Sequence, residues 1–181
     1  MSELELLARE AATKYGLDPR LICALCEVES GWNPRAVRHE AGYRWLWGAQ
    51  HQELFDETPT REFMEMKSRL GIELKTEKFC QQTSWGLLQI MGAVARERGF
   101  RGWLTELCDP TVNLEWGCKH LRWMLDHPLD YGLSIAQGPA VLKGTLADLA
   151  AAWNGGTRVV VDGKYKNQPY VDRVVRAMEG Y

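Results

Sequence analysis

The chain has 181 residues, of which 45% are hydrophobic and 25% charged, with a formal net charge of −2. That length suffices for one proper core, so a single, mainly α domain over residues 1–181 is expected. The near-balanced charge removes the electrostatic case for nucleic acid or anionic lipid as a partner. A helical domain of this size can stand as a monomer.

The N-terminal stretch MSELELLARE has neither a basic leader nor a long apolar run, so no secretory signal and no membrane span are expected. Ser2 and Glu5 make a capping-box pattern, and Leu4, Leu7, Ala8, Ala11 and Tyr15 recur at helical spacing up to Gly16.

Asp18 to Pro34 reads DPRLICALCEVESGWNP. Asp18 is a good N-cap, Pro19 suits the first helical position, and Gly31 and Pro34 end the segment. A helix from Pro19 to Ser30 is predicted. At about 100° per residue Leu21, Ile22, Leu25 and Val28 share one face, and Glu29 falls inside that apolar stripe while Glu27 falls opposite. A carboxylate facing a core is costly unless paired, protonated or useful. Burial and the negative end of the helix both push its pKa up, which suits a general acid. The alternative is a glutamate at the core rim with its tip in water.

Five cysteines cannot form a complete disulfide framework. Cys23 and Cys26 have CxxC spacing but lie within the predicted helix, and no second pair or His-x-His spacing completes a zinc site. Buried reduced thiols are expected, with no metal and no cofactor. The eight tryptophans are rigid surfaces that stack on sugars and equally fill cores.

From Ala36 to Thr83 the periodicity weakens, and the region reads as an insertion that serves as a cleft wall or lid. Thr58-Pro59 looks like a helix start, with Phe63, Met66 and Leu70 on one face up to Gly71. Ile72 to Gln82 is polar and reads as a loop. Next comes SWGLLQIMGAVARERGF, where Ser84 can cap a helix with Leu87, Leu88, Met91 and Ala95 on its apolar face. Trp103 to Leu107 suits a short helical turn. Asp109-Pro110 opens a long helix to His127-Pro128, in which Gly117 implies a close approach by another helix.

Leu129 to Leu142 has no clear pattern. Thr145 then caps LADLAAAWNGG, VVVDGKY suits a tight hairpin at Asp162-Gly163, and Pro169 opens a last helix with Val171, Val174, Val175 and Met178. At most a small β-hairpin accompanies the helices.

Four pieces in this order, ESGWNP at Glu29–Pro34, SWGLLQIM at Ser84–Met91, DPTVNLEWGCKHL at Asp109–Leu121 and AAWNGG at Ala151–Gly156, with YVDRVV trailing at Tyr170–Val175, resemble the lytic transglycosylase and goose-type lysozyme superfamily. The likeness is to phage or prophage versions with an insertion between the first two motifs. It implies a lysozyme-like fold and cleavage of the β-1,4 bond between N-acetylmuramic acid and N-acetylglucosamine in peptidoglycan glycan strands. Glu29 is then the catalytic acid, and a transglycosylase product carries a 1,6-anhydro ring. The resemblance further implies that Ser84 bonds near the catalytic carboxyl, that Gln89 contacts sugar, and that Tyr170 holds the glutamate or substrate. Asn154 matches the asparagine of the fourth motif. Each also has a structural reading: Ser84 as an N-cap, Gln89 as a satisfied polar residue under a loop, Tyr170 as core with its hydroxyl on a backbone carbonyl.

Two features depart from the pattern. The fourth motif has Trp153 where the family has tyrosine, and an indole N–H donates without accepting. The insertion brings Glu40, Glu53, Asp56 and Glu57. A water-using muramidase needs a second carboxylate, for which Glu40 is the first candidate, whereas a transglycosylase needs none. The structural reading of Glu40 is a solvated loop residue. The expected role is endolysin-like wall degradation in phage lysis or entry. The protein would be made in the cytoplasm and reach the wall, or periplasm, after holin-type release or virion delivery. A glycan-binding or structural module without catalysis is the reading from another class.

Overall fold

A computed structural model describes residues 1–48, 59–127, 141–156, 160–161 and 164–181. By backbone contacts the chain divides into two compact units: Met1–Trp32 with Cys118–Tyr181, and Asn33–Gly117.

The first unit is built around one helix. Helix α1 spans Glu3–Lys14, and Ser2 caps it by accepting from the Glu5 N–H at 3.2 Å. Helix α2 spans Pro19–Ser30, and Asp18 accepts from the Arg20 N–H at 2.9 Å. The buried stretch of α2 runs without a break from Leu21 to Cys26, so this helix is covered all round rather than along one stripe. It packs against α1, against α7 (Val141–Gly155) and against α8 (Gln168–Met178). Val28, expected on the buried face, is only half-buried. The CxxC thiols lie deep in this core, and neither is in a disulfide. Burial pushes the Cys23 thiol up to about 11 and the Cys26 thiol well above its usual range, so both stay protonated and unreactive.

Helix α7 begins at Val141, so Thr145 lies within it and not at its start, the place expected for it. Its Leu149–Ala152 stretch is buried. The small alanines let it lie close to its neighbours. Strands β4 (Val160–Val161) and β5 (Lys164–Tyr165) pair antiparallel, Val160 with Tyr165 and Val161 with Lys164. The expected turn pair Asp162-Gly163 lies outside the described residues, as do Pro128 and the unpatterned stretch 129–140. Helix α8 has a proline in its first turn and buries Tyr170, Val171 and Val174, while Val175 is exposed.

The second unit carries a three-stranded antiparallel sheet, in the order β1 (Val37–His39), β2 (Thr83–Trp85), β3 (Ile90–Met91). Arg38 pairs with Ser84, and Ser84 with Met91. This corrects the helix expected from Ser84. The apolar spacing of Leu87, Leu88 and Met91 fits a helix, but Gly86 and Gln89 both adopt positive φ, +67° and +50°, which no right-handed helix tolerates. The segment is strand, tight turn, strand, and only then helix α5 at Gly92–Glu97.

Helix α3 spans Arg61–Leu70, capped by Thr60 rather than by the expected Thr58-Pro59 start, where Thr58 lies outside the described residues. Gly71 ends it at φ +67°. Phe63 and Met66 join Leu46 and Ala93 in a local core. The stretch expected as a loop contains helix α4, Leu74–Gln81. Its buried residues are Glu77 and Gln81, so hydrophobic periodicity could not reveal it. Arg96 of α5 receives Glu77 in a bidentate pair, Nε to Oε1 at 2.8 Å and Nη2 to Oε2 at 3.0 Å. Gln81 donates to Glu77 and clasps the backbone N–H and C=O of Trp47. A 3₁₀ helix at Leu104–Cys108 precedes α6 (Pro110–Asp126), which Asp109 caps through the Thr111 and Val112 N–H groups. Gly117 does meet a close neighbour, but it is Leu88 of the β2–β3 turn and not another helix. Among the described residues, no helix is long and apolar enough to cross a membrane.

Candidate active site

Glu29 sits in the last turn of α2, half-buried. The chain leaves the helix through two successive residues in the left-handed region, Gly31 at φ +57° and Trp32 at φ +62°. Their N–H groups cap the carbonyls of Glu27 at 2.9 Å and Cys26 at 3.1 Å. Tyr170, in the first turn of α8, donates its hydroxyl to Glu29 Oε1 at 2.6 Å. Tyr170 is only 6% exposed. Burial, then the negative charge of Glu29 and the hydrogen bond to it, hold the phenol far above its usual value of 10. It is therefore a fixed donor, and its hydroxyl goes to the carboxyl rather than to a backbone carbonyl. Arg173 lies one turn along α8, with its guanidinium 5.7 Å from the Tyr170 ring centre.

The AAWNGG motif forms the C-terminal end of α7. Trp153 is half-buried, with its ring 5.8 Å from that of His120. Asn154 is exposed, and its Oδ1 accepts from Asn167 Nδ2 at 2.9 Å. Asn167 also donates to the Ala151 carbonyl at 3.1 Å, tying the start of α8 to the end of α7. Tyr165 of β5 donates to the buried Asp148 of α7 at 2.5 Å. Neither Asn167 nor the Tyr165–Asp148 pair was legible beforehand, because nothing in the local sequence marks a side-chain bond across more than a dozen residues.

In the second unit Ser84 is 3% exposed, and its hydroxyl lies 3.1 Å from Met91 Sδ. It belongs to β2, so its N-cap reading falls with the helix. Gln89 occupies the strained turn. Its Nε2 donates to the carbonyls of Ala36 at 3.0 Å and Gly86 at 2.9 Å. The amide nitrogen is thus committed to the loop.

Asn113, which the sequence did not single out, organises the turn. It is fully buried, donates to the carbonyls of Trp85 at 2.7 Å and Leu107 at 2.8 Å, and accepts from the Leu88 N–H at 2.8 Å. The NLEWG stretch held the signal: an asparagine one turn into α6, between apolar neighbours, must spend its amide on something. Glu40 is ion-paired to Arg38 Nε, and its backbone N–H donates to the Gln82 carbonyl at 2.7 Å. Glu53, Asp56 and Glu57 lie outside the described residues.

Chemically, the first unit offers one half-buried carboxyl that accepts from a phenol whose proton is held by burial and by the carboxyl itself. The second offers a buried hydroxyl and one amide oxygen. Among the described residues, no group of His, Cys, Asp or Glu is arranged to hold a metal ion.

The family model for the transglycosylase SLT domain matches residues 6–171. The chain belongs to that family, whose members cleave glycosidic bonds in peptidoglycan, and it is an enzyme of that activity with the mainly helical, lysozyme-like fold. Searches of curated proteins and of solved structures find no match.

Proposed function

We propose that this member of the SLT family is a lytic transglycosylase that leaves 1,6-anhydro-muramic ends, with Glu29 as its only catalytic carboxylate. The observation that carries the reading is the hydrogen bond from Tyr170 to Glu29 at 2.6 Å. A carboxyl that must give and then take one proton needs a fixed orientation and a neighbour that stays out of the proton traffic. A phenol held protonated by burial is such a neighbour.

The step balances with that one group. The Glu29 carboxyl gives its proton to the glycosidic oxygen as the bond to the muramic C1 breaks, and N-acetylglucosamine leaves with a free 4-hydroxyl. The carboxylate then takes the proton of the muramic 6-hydroxyl as that oxygen closes on C1. Glu29 ends protonated, and no water is consumed. On the family pattern Ser84 is proposed as a polar contact for the substrate; its hydroxyl is held only by a thioether, a weak acceptor. The Gln89 carbonyl oxygen, Trp153 and Asn154 are proposed as sugar contacts on the family pattern.

A water-using muramidase would need a second carboxylate. Glu40, its candidate, is engaged by Arg38, so a role as base would have to break that pair. We assign the enzyme to wall degradation of the phage type, acting at the wall after holin-type release or virion delivery. Support for this role is the resemblance to versions with an insertion between the first two motifs.

Clearing of purified peptidoglycan by wild type and by Glu29→Gln tests catalysis itself. Wild type should clear the suspension and Glu29→Gln should not, with the same circular dichroism. An active Glu29→Gln protein would overturn the assignment of the acid. Walls bound but left intact by wild type would favour a glycan-binding module.

A further inference from the structure

Tyr181 closes a network at the end of the helix that carries Glu29. Its ring stands edge-on to Trp32, centroids 6.1 Å apart at 64°. Its hydroxyl accepts from Trp32 Nε1 at 2.9 Å and donates to Glu27 Oε2 at 2.7 Å. Its carbonyl oxygen accepts from Arg9 of α1 at 3.3 Å. One side chain thus grips α2 on the Glu27 side and, through Trp32, just beyond Ser30, while its backbone is anchored to α1.

The turn it grips needs holding. Trp32 is a bulky residue at φ +62°, a strained conformation that persists only where its surroundings hold it. The Gly31 and Trp32 N–H groups are also the caps of the last turn. If Trp32 relaxed to negative φ, its N–H would leave the Cys26 carbonyl and the turn bearing Glu29 would fray. A groove of about 420 Å³, lined by Glu27, Val28, Arg173, Arg176, Ala177 and Gly180, runs between α2 and α8 beside this point. Tyr181 bridges this end on the Glu27 side.

We infer that Tyr181 is a positioning residue for catalysis: by locking Trp32 in the left-handed region, it fixes the final turn of α2 and with it the direction of the Glu29 carboxyl. This rests on Glu29 being the acid, as proposed above. Tyr181 touches no reacting atom. Its phenol is pushed up to about 12, chiefly by burial and then by the bond to Glu27, so it stays a donor at working pH. The network is all hydroxyl, indole and carboxylate, and each member is satisfied by the next.

The test compares wild type, Tyr181→Phe and Trp32→Phe for kcat and KM on peptidoglycan fragments, with amide hydrogen exchange read on the same proteins. Tyr181→Phe keeps the ring and removes only the hydroxyl. The expected result is a kcat lower by roughly 3- to 20-fold at unchanged KM, from the loss of one neutral and one charge-assisted hydrogen bond. Faster exchange confined to the Gly31 and Trp32 amides should accompany it. Trp32→Phe, which removes the indole N–H from the other side, should do the same.

A Tyr181→Phe protein with a lower melting temperature but wild-type kcat and wild-type protection at Gly31 and Trp32 would overturn the inference. So would a loss of protection spread evenly over α1 and α2, which marks plain destabilisation. Failure of the underlying reading looks different. Wild type would then release no fragments, while exchange at the two amides would still show whether Tyr181 holds the turn.

Discussion

Tyr170 and Glu29 lie 141 residues apart in the chain and meet at 2.6 Å, hydroxyl to carboxylate oxygen. The bond joins the first turn of α8 to the last turn of α2, two helices packed against each other in one compact unit. The geometry of the proposed proton donor is therefore set by helix packing and not by a loop.

Removing that hydroxyl should cost activity more than stability. Tyr170→Phe keeps the buried ring and loses a hydrogen bond to a charged group, which contributes about 1.5–3 kcal/mol. A kcat lower by ~10- to 100-fold is expected, with a smaller change in KM. Steady-state kinetics on soluble glycan fragments checks this. A kcat within twofold of wild type would mean that the carboxyl is oriented by other contacts.

Two phenols, Tyr170 buried and Tyr181 half-buried, set an alkaline limit on stability. Tyr170 is held protonated far above its unfolded value of 10, and Tyr181 is pushed up to about 12. Between the unfolded and folded values the native state binds more protons than the unfolded chain, so stability falls as pH rises through that window. The contribution is complete below pH 10 and is lost progressively above it. Urea unfolding at pH 9 and pH 11 should show a steeper loss for wild type than for Tyr170→Phe. The difference should approach ~1.4 kcal/mol per pH unit, one proton's share. Parallel losses in the two proteins would contradict the assignment.

The architecture was legible in the sequence wherever a local signal and the tertiary environment agree. Asp18, Pro19 and Gly31 bound α2 because cap, first-turn proline and left-handed glycine act within a few residues of the chain. It failed where partners are distant. Helix α4 hides its identity because the residues it buries are Glu77 and Gln81, whose partners, Arg96 and the Trp47 backbone, lie elsewhere in the chain. The stretch from Ser84 imitates a helix because its apolar residues serve a turn, a strand and the start of α5 at helical spacing by coincidence. Asn113, far along the chain, supplies the hydrogen bonds that make the turn the better choice. The order of the motifs named Glu29, Ser84, Gln89 and Tyr170. It could not show that Gln89 spends its nitrogen on the loop, or that Asn167 holds Asn154.

The Glu77–Arg96 pair should be one of the most sensitive points of its unit. Both side chains are essentially inaccessible, at 1% and 0%. Deleting one partner strands the other charge in the interior, which costs about 3–5 kcal/mol. Glu77→Ala should lose that much in urea unfolding, or fail to fold at 37 °C. A loss below ~1 kcal/mol would show that water reaches Arg96.

Two glycines at similar φ should respond differently to alanine. Gly86 and Gly31 both have positive φ, +67° and +57°. A Cβ on Gly86 would stand 2.3 Å from Asn113 Nδ2 and 2.4 Å from the Leu107 carbonyl, while one on Gly31 meets nothing within 4 Å. Gly31→Ala should therefore cost only the conformational term, ~1–2 kcal/mol. Gly86→Ala should cost clearly more, because it also breaks the Asn113 network. Equal losses in thermal unfolding would contradict the crowding at Gly86.

The central claim is that one carboxylate and the substrate's own hydroxyl complete the reaction. Mass spectrometry of fragments released from purified peptidoglycan tests it most directly, with wild type, Glu29→Gln and Glu40→Gln run side by side. The account predicts anhydro-muramic ends from wild type and from Glu40→Gln, and no fragments from Glu29→Gln. Reducing ends from wild type, lost in Glu40→Gln as completely as in Glu29→Gln with folding intact, would contradict it and establish a two-carboxylate hydrolase.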